Sequence, residues 1–490
     1  MKKWLKSSLC VAGFAGCMSL CLAGCGVQTD IVNSSSDIIY NGSVVSVVGD
    51  DIIFSNGYSS SEISTMDDYN TYANTSYLAT VNSNDLTGDM YLSPESTKLK
   101  GEVTGFSNMY SFVYGDSIYY AAPNKHRTSS NQYVFTYVSF FKCAFDGSGE
   151  TELLTTSSYD SATAQIRALK YGDNAYLFVY DGTQLNCINL SNDSVTTISS
   201  AATSVALPSE GEQWNGTVYY SEDKENAYGQ AGNAAFKYSV ADGQSVSLSV
   251  PLNYSVSFTG RSQDNVFYTL TYAPTSVSHT RLATAAQIES TTLNTAGRVF
   301  YSAEISNIKA AGGQNMQQGY VFTSSLSGNS QILFMPSNST APTVLLSNSD
   351  YTDLLLVYGD YVYYANDDGI SYKTISTGDV VSVVSDMMIE SSKIGYDFYD
   401  SGNLKTIYFY AQREYAEDDE TPEDERDTNY YLYATNADGS GEVSLIGQTD
   451  NPVEDGPNVA LIASLSVVGG VLVIGGIVAT VIIVRKKRGY

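Results

Sequence analysis

Histidine is almost absent. The 490-residue chain has two, His126 and His279, which leaves little scope for histidine-based acid–base catalysis or zinc ligation. Basic residues are also scarce, 25 Lys+Arg against 52 Asp+Glu, and a pI near 4.2 means a surface that repels phosphate, so no nucleic-acid partner is expected. Four of the six cysteines precede residue 26, leaving only Cys143 and Cys187 for the body of the chain. There is no Gly-x-Ser-x-Gly elbow, no Cys-x-x-Cys pair and no phosphate-cradling glycine loop. No catalytic residue, metal ligand or cofactor site is therefore assigned from sequence.

Aromatic residues, by contrast, are plentiful. They make up 12% of the chain, with 40 tyrosines, which excludes general disorder because burial of such groups repays the entropy of ordering. The length is too great for one small core and calls for several domains or one large ring-like domain.

Both ends are legible. Lys2, Lys3 and Lys6 precede an uncharged, mostly apolar stretch from Leu9 to Leu22, too short to span a bilayer, so residues 1–25 read as a secretory leader. It closes on Leu22-Ala23-Gly24-Cys25, which resembles the bacterial lipobox; that resemblance implies cleavage before Cys25 and lipidation of its thiol. The alternative is a plain leader with a chance cysteine. Residues 26–36 form a polar tether. At the other end, residues 459–484 carry no charge and are followed by Arg485, Lys486, Lys487 and Arg488. At helical rise the segment spans about 39 Å, enough to cross a core of about 30 Å. The basic tetrad places residues 485–490 in the cytoplasm, so 37–450 is an exterior domain and 451–458 a linker. A Gram-positive wall-sorting signal is the competing reading, but Asn451-Pro452-Val453-Glu454-Asp455 lacks the Thr-Gly that transpeptidation uses. Without the leader and tail, 18 basic residues face 52 acidic ones, a net charge of −34 that anionic lipids and wall polymers would repel.

A short unit recurs through the exterior domain: a Gly-Asp turn, an aliphatic residue, then two aromatics. Gly115-Asp116-Ser117-Ile118-Tyr119-Tyr120 and Gly359-Asp360-Tyr361-Val362-Tyr363-Tyr364 are the clearest copies, and those from Gly49 and Gly172 follow the same order. Copies at Asn215 and Gln263 are looser, and Ala296-Gly297-Arg298-Val299-Phe300-Tyr301 and Thr406–Tyr410 are degenerate. A turn feeding a β-branched and aromatic run predicts a hairpin strand. A second unit, a strand ending in Asp-Gly, occurs at Phe141–Glu150, Phe236–Gly243 and Tyr433–Glu442, with Leu185–Leu190 in the same slot, which aligns Cys187 with Cys143. Matching positions in successive sheets are too far apart to bridge, so both are read as structural thiols. Eight anchors spaced roughly 45–65 residues apart predict an all-β propeller of seven or eight four-stranded blades.

These motifs resemble the low-density-lipoprotein-receptor YWTD-type propellers, and more so a related bacterial domain of unknown function found in secreted proteins of Firmicutes. Tyr219-Tyr220-Ser221-Glu222-Asp223 and Tyr363-Tyr364-Ala365-Asn366-Asp367 stand where the YWTD string would, without its tryptophan. The resemblance implies a fold and no activity.

Remaining features read more plainly. Glu414 to Asp427 holds nine acids and one arginine and is expected to be a solvated hairpin insertion rather than a cation-collecting loop. The Asp146 and Asp438 stretches lack the oxygen spacing of a calcium loop. His126 and His279 are placed in loops. The expected function is a non-catalytic interaction module on the outer side of a bacterial membrane, with a protein, peptide or polymer ligand. An envelope hydrolase with carboxylates at the ring's mouth, or the input subunit of a membrane signalling or transport complex, are the alternatives. Propeller closure should bring residues near 37 and 450 together, leaving the face opposite the termini for a ligand.

Overall fold

The structure, a computed structural model, describes residues 45–449 except for 57–76, 91–93, 95, 102–110, 128–132, 157–163, 209–213, 226–227, 230–231, 263, 314–315, 327–328, 348, 390–393, 399–402 and 416–426. The leader, Cys25, the linker, the 459–484 segment, the basic tetrad and most of the acidic insertion lie outside the described residues. No described helix is long and apolar enough to cross a membrane.

Eight antiparallel sheets follow one another along the chain. Blade 1 covers 45–101, blade 2 111–155, blade 3 165–199, blade 4 202–247, blade 5 254–301, blade 6 306–347, blade 7 353–385 and blade 8 388–449. Seven are four-stranded meanders in sequence order. In blade 8, Met388–Ile389 and Gly395–Phe398 pair with the same strand, Leu404–Tyr415, as two pieces of one interrupted first strand. The protein is an eight-bladed β-propeller.

First strands touch across blades, as Tyr254–Ser262 does against both Ala202–Ala206 and Ser306–Gly313. They therefore form the inner wall of the ring. Fourth strands such as Gln244–Ser247 are exposed and form the rim.

The Gly-Asp units are two-residue turns between first and second strands, flanked by the pairs Val48↔Asp51, Tyr114↔Ser117, Tyr171↔Asn174 and Tyr358↔Tyr361. Their glycines adopt φ between 57° and 63° at the first central position, where a side chain is disfavoured and where twist-matched hairpin turns place glycine.

Why the turn feeds two aromatics follows from strand geometry. Neighbouring residues on a strand point to opposite faces, and each second strand is sandwiched between two blades. Tyr119 faces the core between blades 2 and 3, Tyr120 that between blades 1 and 2. Tyr219 and Tyr220, Phe267 and Tyr268, Tyr363 and Tyr364, and Tyr408 and Phe409 divide in the same sense. Eight apolar clusters result, one per junction. Each buried ring contributes about 1.5–3 kcal/mol by its removal from water.

The last of these clusters closes the ring. Val45, Ile52 and Phe54 of blade 1 pack with Tyr408, Leu432 and Ile446 of blade 8. Among the described residues, no strand is exchanged between the two blades. Instead, the Gly88 amide donates to Ser444 Oγ (3.0 Å) and the Leu445 amide to the Asp89 carbonyl (3.0 Å). Because strands alternate in direction, Val45 and Thr449 end on one face of the ring. The second strands end on that face too, among them Leu404–Tyr415.

Several sequence expectations need correction. The unit at Ala296–Tyr301 is not a second strand but the turn and fourth strand of blade 5, Arg298–Tyr301. The missing anchor is Met316–Leu326 of blade 6, which the sequence precedes with Gln314-Asn315 rather than Gly-Asp. His126 and His279 lie in strands, Ser117–Arg127 and Val277–Thr284, because both hairpins extend past the point where their polar residues begin. Cys187 does not occupy the Cys143 slot. Cys143 pairs with Ile118, before the aromatic doublet of blade 2, whereas Cys187 pairs with Phe178, after the corresponding Tyr176-Leu177 of blade 3. The offset of three residues turns the thiols to opposite faces of their blades, into the blade 1–2 and blade 3–4 cores. Neither forms a disulfide, and burial raises the Cys187 thiol to about 12.

Candidate functional site: a groove between blades 4 and 5

Third and fourth strands are joined by short turns in most blades: residues 190–193 in blade 3, 240–243 in blade 4 and 375–379 in blade 7. In blade 5 the joint runs from 285 to 297 and contains helix α1, Ala285–Ser290, the only α-helix among the described residues. A capping box starts it. Thr284 Oγ1 accepts from the Gln287 amide (3.3 Å) and Gln287 Oε1 from the Thr284 amide (2.9 Å). Ala285 and Ile288 face inward, with Leu293 and Ala296, to fill the space that widens between blades 4 and 5 toward the rim. The Leu293 amide donates to the Ser249 carbonyl (2.9 Å), fastening the connector to blade 4.

Between α1 and the rim strand of blade 4 lies an open groove of about 420 Å³. Its walls are Val246, Ser247, Leu248 and Ser249 on one side and residues 288–292 on the other, with Lys237 at one end. Leu248 and Ile288 belong to the core behind the walls. The exposed lining thus combines the apolar Val246 with the hydroxyls of Ser247, Ser249, Ser290, Thr291 and Thr292. Tyr228 stands at the margin with half its surface exposed, its hydroxyl 3.2 Å from Ser249 Oγ.

The end at Lys237 is a charged clasp. The Lys237 ammonium lies 2.9 Å from Glu289 Oε2, their side chains 21% and 36% exposed. The buried Tyr219, directly cross-strand from Lys237, donates its hydroxyl to Glu289 Oε1 (3.1 Å). Burial, chiefly, pushes the Tyr219 hydroxyl well above its ordinary value, with Arg261 opposing, so it stays protonated as a donor. The Arg261 guanidinium lies 5.7 Å from the Tyr219 ring centre. It donates to the Thr217 carbonyl (2.5 Å) and Oγ1 (3.0 Å) and approaches Asp264 at 4.0 Å.

Part of this clasp recurs around the ring. In blade 2 Tyr119 stands cross-strand from Lys142, which pairs with Asp193 on the turn of blade 3, while the Tyr119 hydroxyl reaches the Leu190 carbonyl (3.5 Å). Tyr363 likewise donates to the Ala437 carbonyl in the turn of blade 8 (2.9 Å). A tyrosine reaching the next blade's turn is therefore a joint of the fold. Blade 4 differs because the acceptor is a part-exposed carboxylate on an inserted helix rather than a turn carbonyl.

Sequence reasoning missed this site. Lys237 and Glu289 are far apart in sequence, and the connector is too short for helical periodicity. The Thr284-x-x-Gln287 capping signature was the available signal. The structure brings none of the sequence-assigned residues to the groove: Cys25, Arg485, Lys486, Lys487 and Arg488 lie outside the described residues. The Asp146 and Asp438 loops are hairpin turns in which each carboxylate accepts from the amide two residues on (2.9 Å); the Ser148 and Ser440 side chains first, and these amides second, hold both below the usual carboxylate range. Among the described residues, no group of three or more His, Cys, Asp or Glu could hold a metal ion.

No protein-family description matches the chain, and no curated protein does. Its outline is similar to solved structures. A Mycobacterium tuberculosis puromycin-hydrolyzing peptidase shares 10% identity over 77% of this chain and 60% of its own, with a TM-score of 0.37. Porphyromonas gingivalis dipeptidyl peptidase 4 shares 11% over 79% and 58%, with a TM-score of 0.41. A chain of the nidogen/laminin complex shares 12% over 56% and 97%, with a TM-score of 0.30. The chain thus spans about three-fifths of the length of each peptidase. At these values the architecture rests on the strand pairing described above.

Proposed function

We propose that the propeller is a non-catalytic binding module held outside a bacterial membrane by both of its ends, and that the blade 4–blade 5 groove seats its ligand. The carrying observation is the helical connector of blade 5, which departs from the repeat and leaves an open groove beside the outer strand of blade 4. Its volume lies at the lower end of the range for small-ligand sites. The membrane attachment rests on the leader, Cys25 and the 459–484 segment with its basic tetrad. It gains support from the ring closure, which puts Val45 and Thr449 on one face. The joint that carries α1 leaves blade 5 on the face opposite Val45 and Thr449, and the groove lies between it and the outer strand of blade 4.

Co-sedimentation of residues 26–458 with purified wall sacculi stripped of anionic polymers tests the reading. Expected is binding without release of soluble fragments, abolished by Ser290→Arg, which projects a large cation from the exposed end of α1 over the groove. Release of soluble fragments would establish an envelope hydrolase instead. Unchanged binding by Ser290→Arg would remove the groove from the reading.

A further inference from the structure

We infer that the groove recognises an uncharged oligosaccharide; this deepens the binding-module reading and rests on it. At one end an ammonium donor and a carboxylate acceptor lie side by side, Lys237 and Glu289, 2.9 Å apart. Two adjacent hydroxyls on a sugar ring each donate and accept, so one can give to Glu289 while its neighbour accepts from Lys237. Hydrogen bonds to ionised partners of this kind are roughly twice as strong as neutral ones. The Tyr219 hydroxyl holds Glu289 from behind, so the carboxylate is positioned before any ligand arrives. Around the pair stand the hydroxyls of Ser247, Ser249, Ser290 and Thr292; Ser290 already donates to the Ala286 carbonyl (2.7 Å) and Ser249 to Thr292 (3.4 Å), so they offer a ligand mainly acceptor oxygens.

The half-exposed ring of Tyr228 adds a flat apolar surface for the C–H face of a sugar, beside the polar lining. Charge narrows the class. A chain with 52 acids against 25 bases, whose lysine in the groove is already paired, disfavours anionic sugars. An apolar ligand would find only Val246 exposed, with Leu248 and Ile288 buried behind the wall. The clasp alone is not the site. Lys142 and Asp193 form the equivalent pair at the blade 2–3 joint without an inserted helix beside them.

Titration of residues 26–458 with chitotriose, a neutral trimer of N-acetylglucosamine, tests the inference. A Kd of about 1 mM or tighter is expected, weakened at least about tenfold by Glu289→Gln and by Tyr228→Ala, and abolished by Ser290→Arg. Asp193→Asn, which breaks the counterpart clasp, should leave affinity unchanged. That comparison separates ligand contact from a general loosening of the ring. If sacculi bind and Ser290→Arg abolishes that binding, yet chitotriose fails to bind at about 10 mM, the sugar assignment falls while the binding-module reading stands. If neither binds, both fall. Displacement of chitotriose by a neutral tripeptide of equal affinity would reassign the groove to peptides.

Discussion

Three Asp-Gly turns offer a way to weigh the joints between blades against the turns themselves. Gly147, Gly439 and Gly243 each have positive φ, 76°, 75° and 64°. Alanine at any of them meets the left-handed penalty of about 1–2 kcal/mol. Their surroundings differ. A Cβ on Gly147 would lie 2.0 Å from the Leu99 carbonyl oxygen on the rim strand of blade 1, one on Gly439 2.8 Å from that of Ser382 on blade 7, and one on Gly243 would meet nothing within 4 Å. Gly147→Ala must therefore lever the blade 2 turn off its neighbour's backbone, adding a packing loss of about 1–3 kcal/mol. For a ring of about 400 residues, 1 kcal/mol corresponds to a little over 1 °C in Tm. Gly243→Ala should lower the Tm of residues 26–458 by about 1–2 °C and Gly147→Ala by about 3–5 °C, with Gly439→Ala between them. Calorimetry reads the three values directly. Equal losses would show that the turns act alone and that close approach between blades contributes nothing.

Other expectations concern titration and anchoring. Burial, first among the causes, raises Tyr119, Tyr238 and Tyr268 from 10 to about 12 and moves Tyr219, Tyr363 and Tyr410 upward as well. Groups raised by folding add stability that is complete below the unfolded value and is lost as pH climbs through the folded one. The ring should therefore weaken between about pH 10 and 12; absorbance at 295 nm should show exposed tyrosines ionising first and the buried set only as circular dichroism reports unfolding. A smooth single titration near 10 with structure intact would contradict the burial. Native Cys143 and Cys187 should resist a thiol reagent at pH 8 and react once the protein is unfolded; modification in the native state would refute their burial. Cys25→Ala should abolish labelling by a fatty-acid analogue while the protein stays in the membrane fraction; persistent label would refute the lipobox reading.

The fold was legible because the repeat writes a local rule. Gly-Asp and two aromatics encode a turn and a strand buried on both faces, and neither needs long-range information. Seven of the eight anchors mark true second strands. The eighth failed for a physical reason. Ala296-Gly297 imitates the turn because Gly297 also takes a positive φ, of 62°, but it sits where the inserted connector returns to blade 5. Blade 6 escaped notice because its second strand, Met316–Leu326, is not preceded by Gly-Asp in the sequence. The groove was not legible at all. It depends on Lys237 meeting Glu289 across a blade junction, and no periodicity within either segment signals that meeting.

The unexchanged seam between blades 8 and 1 has a kinetic consequence. Each blade is a contiguous segment that completes its own sheet, so sheets can form one after another as the chain is made, from the N-terminus onward. Until blade 8 is finished, the assembly is an open arc whose first blade presents Val45, Ile52 and Phe54 to water. Closure is then one late, long-range encounter across the whole chain, and it slows folding in proportion to its loop-closure entropy rather than to the strength of any blade. Exposed apolar surface at the two ends of such an arc is what a neighbouring nascent chain would capture. Substitutions at the seam should therefore show first as lost yield, before they show as lost stability in rings that have already closed.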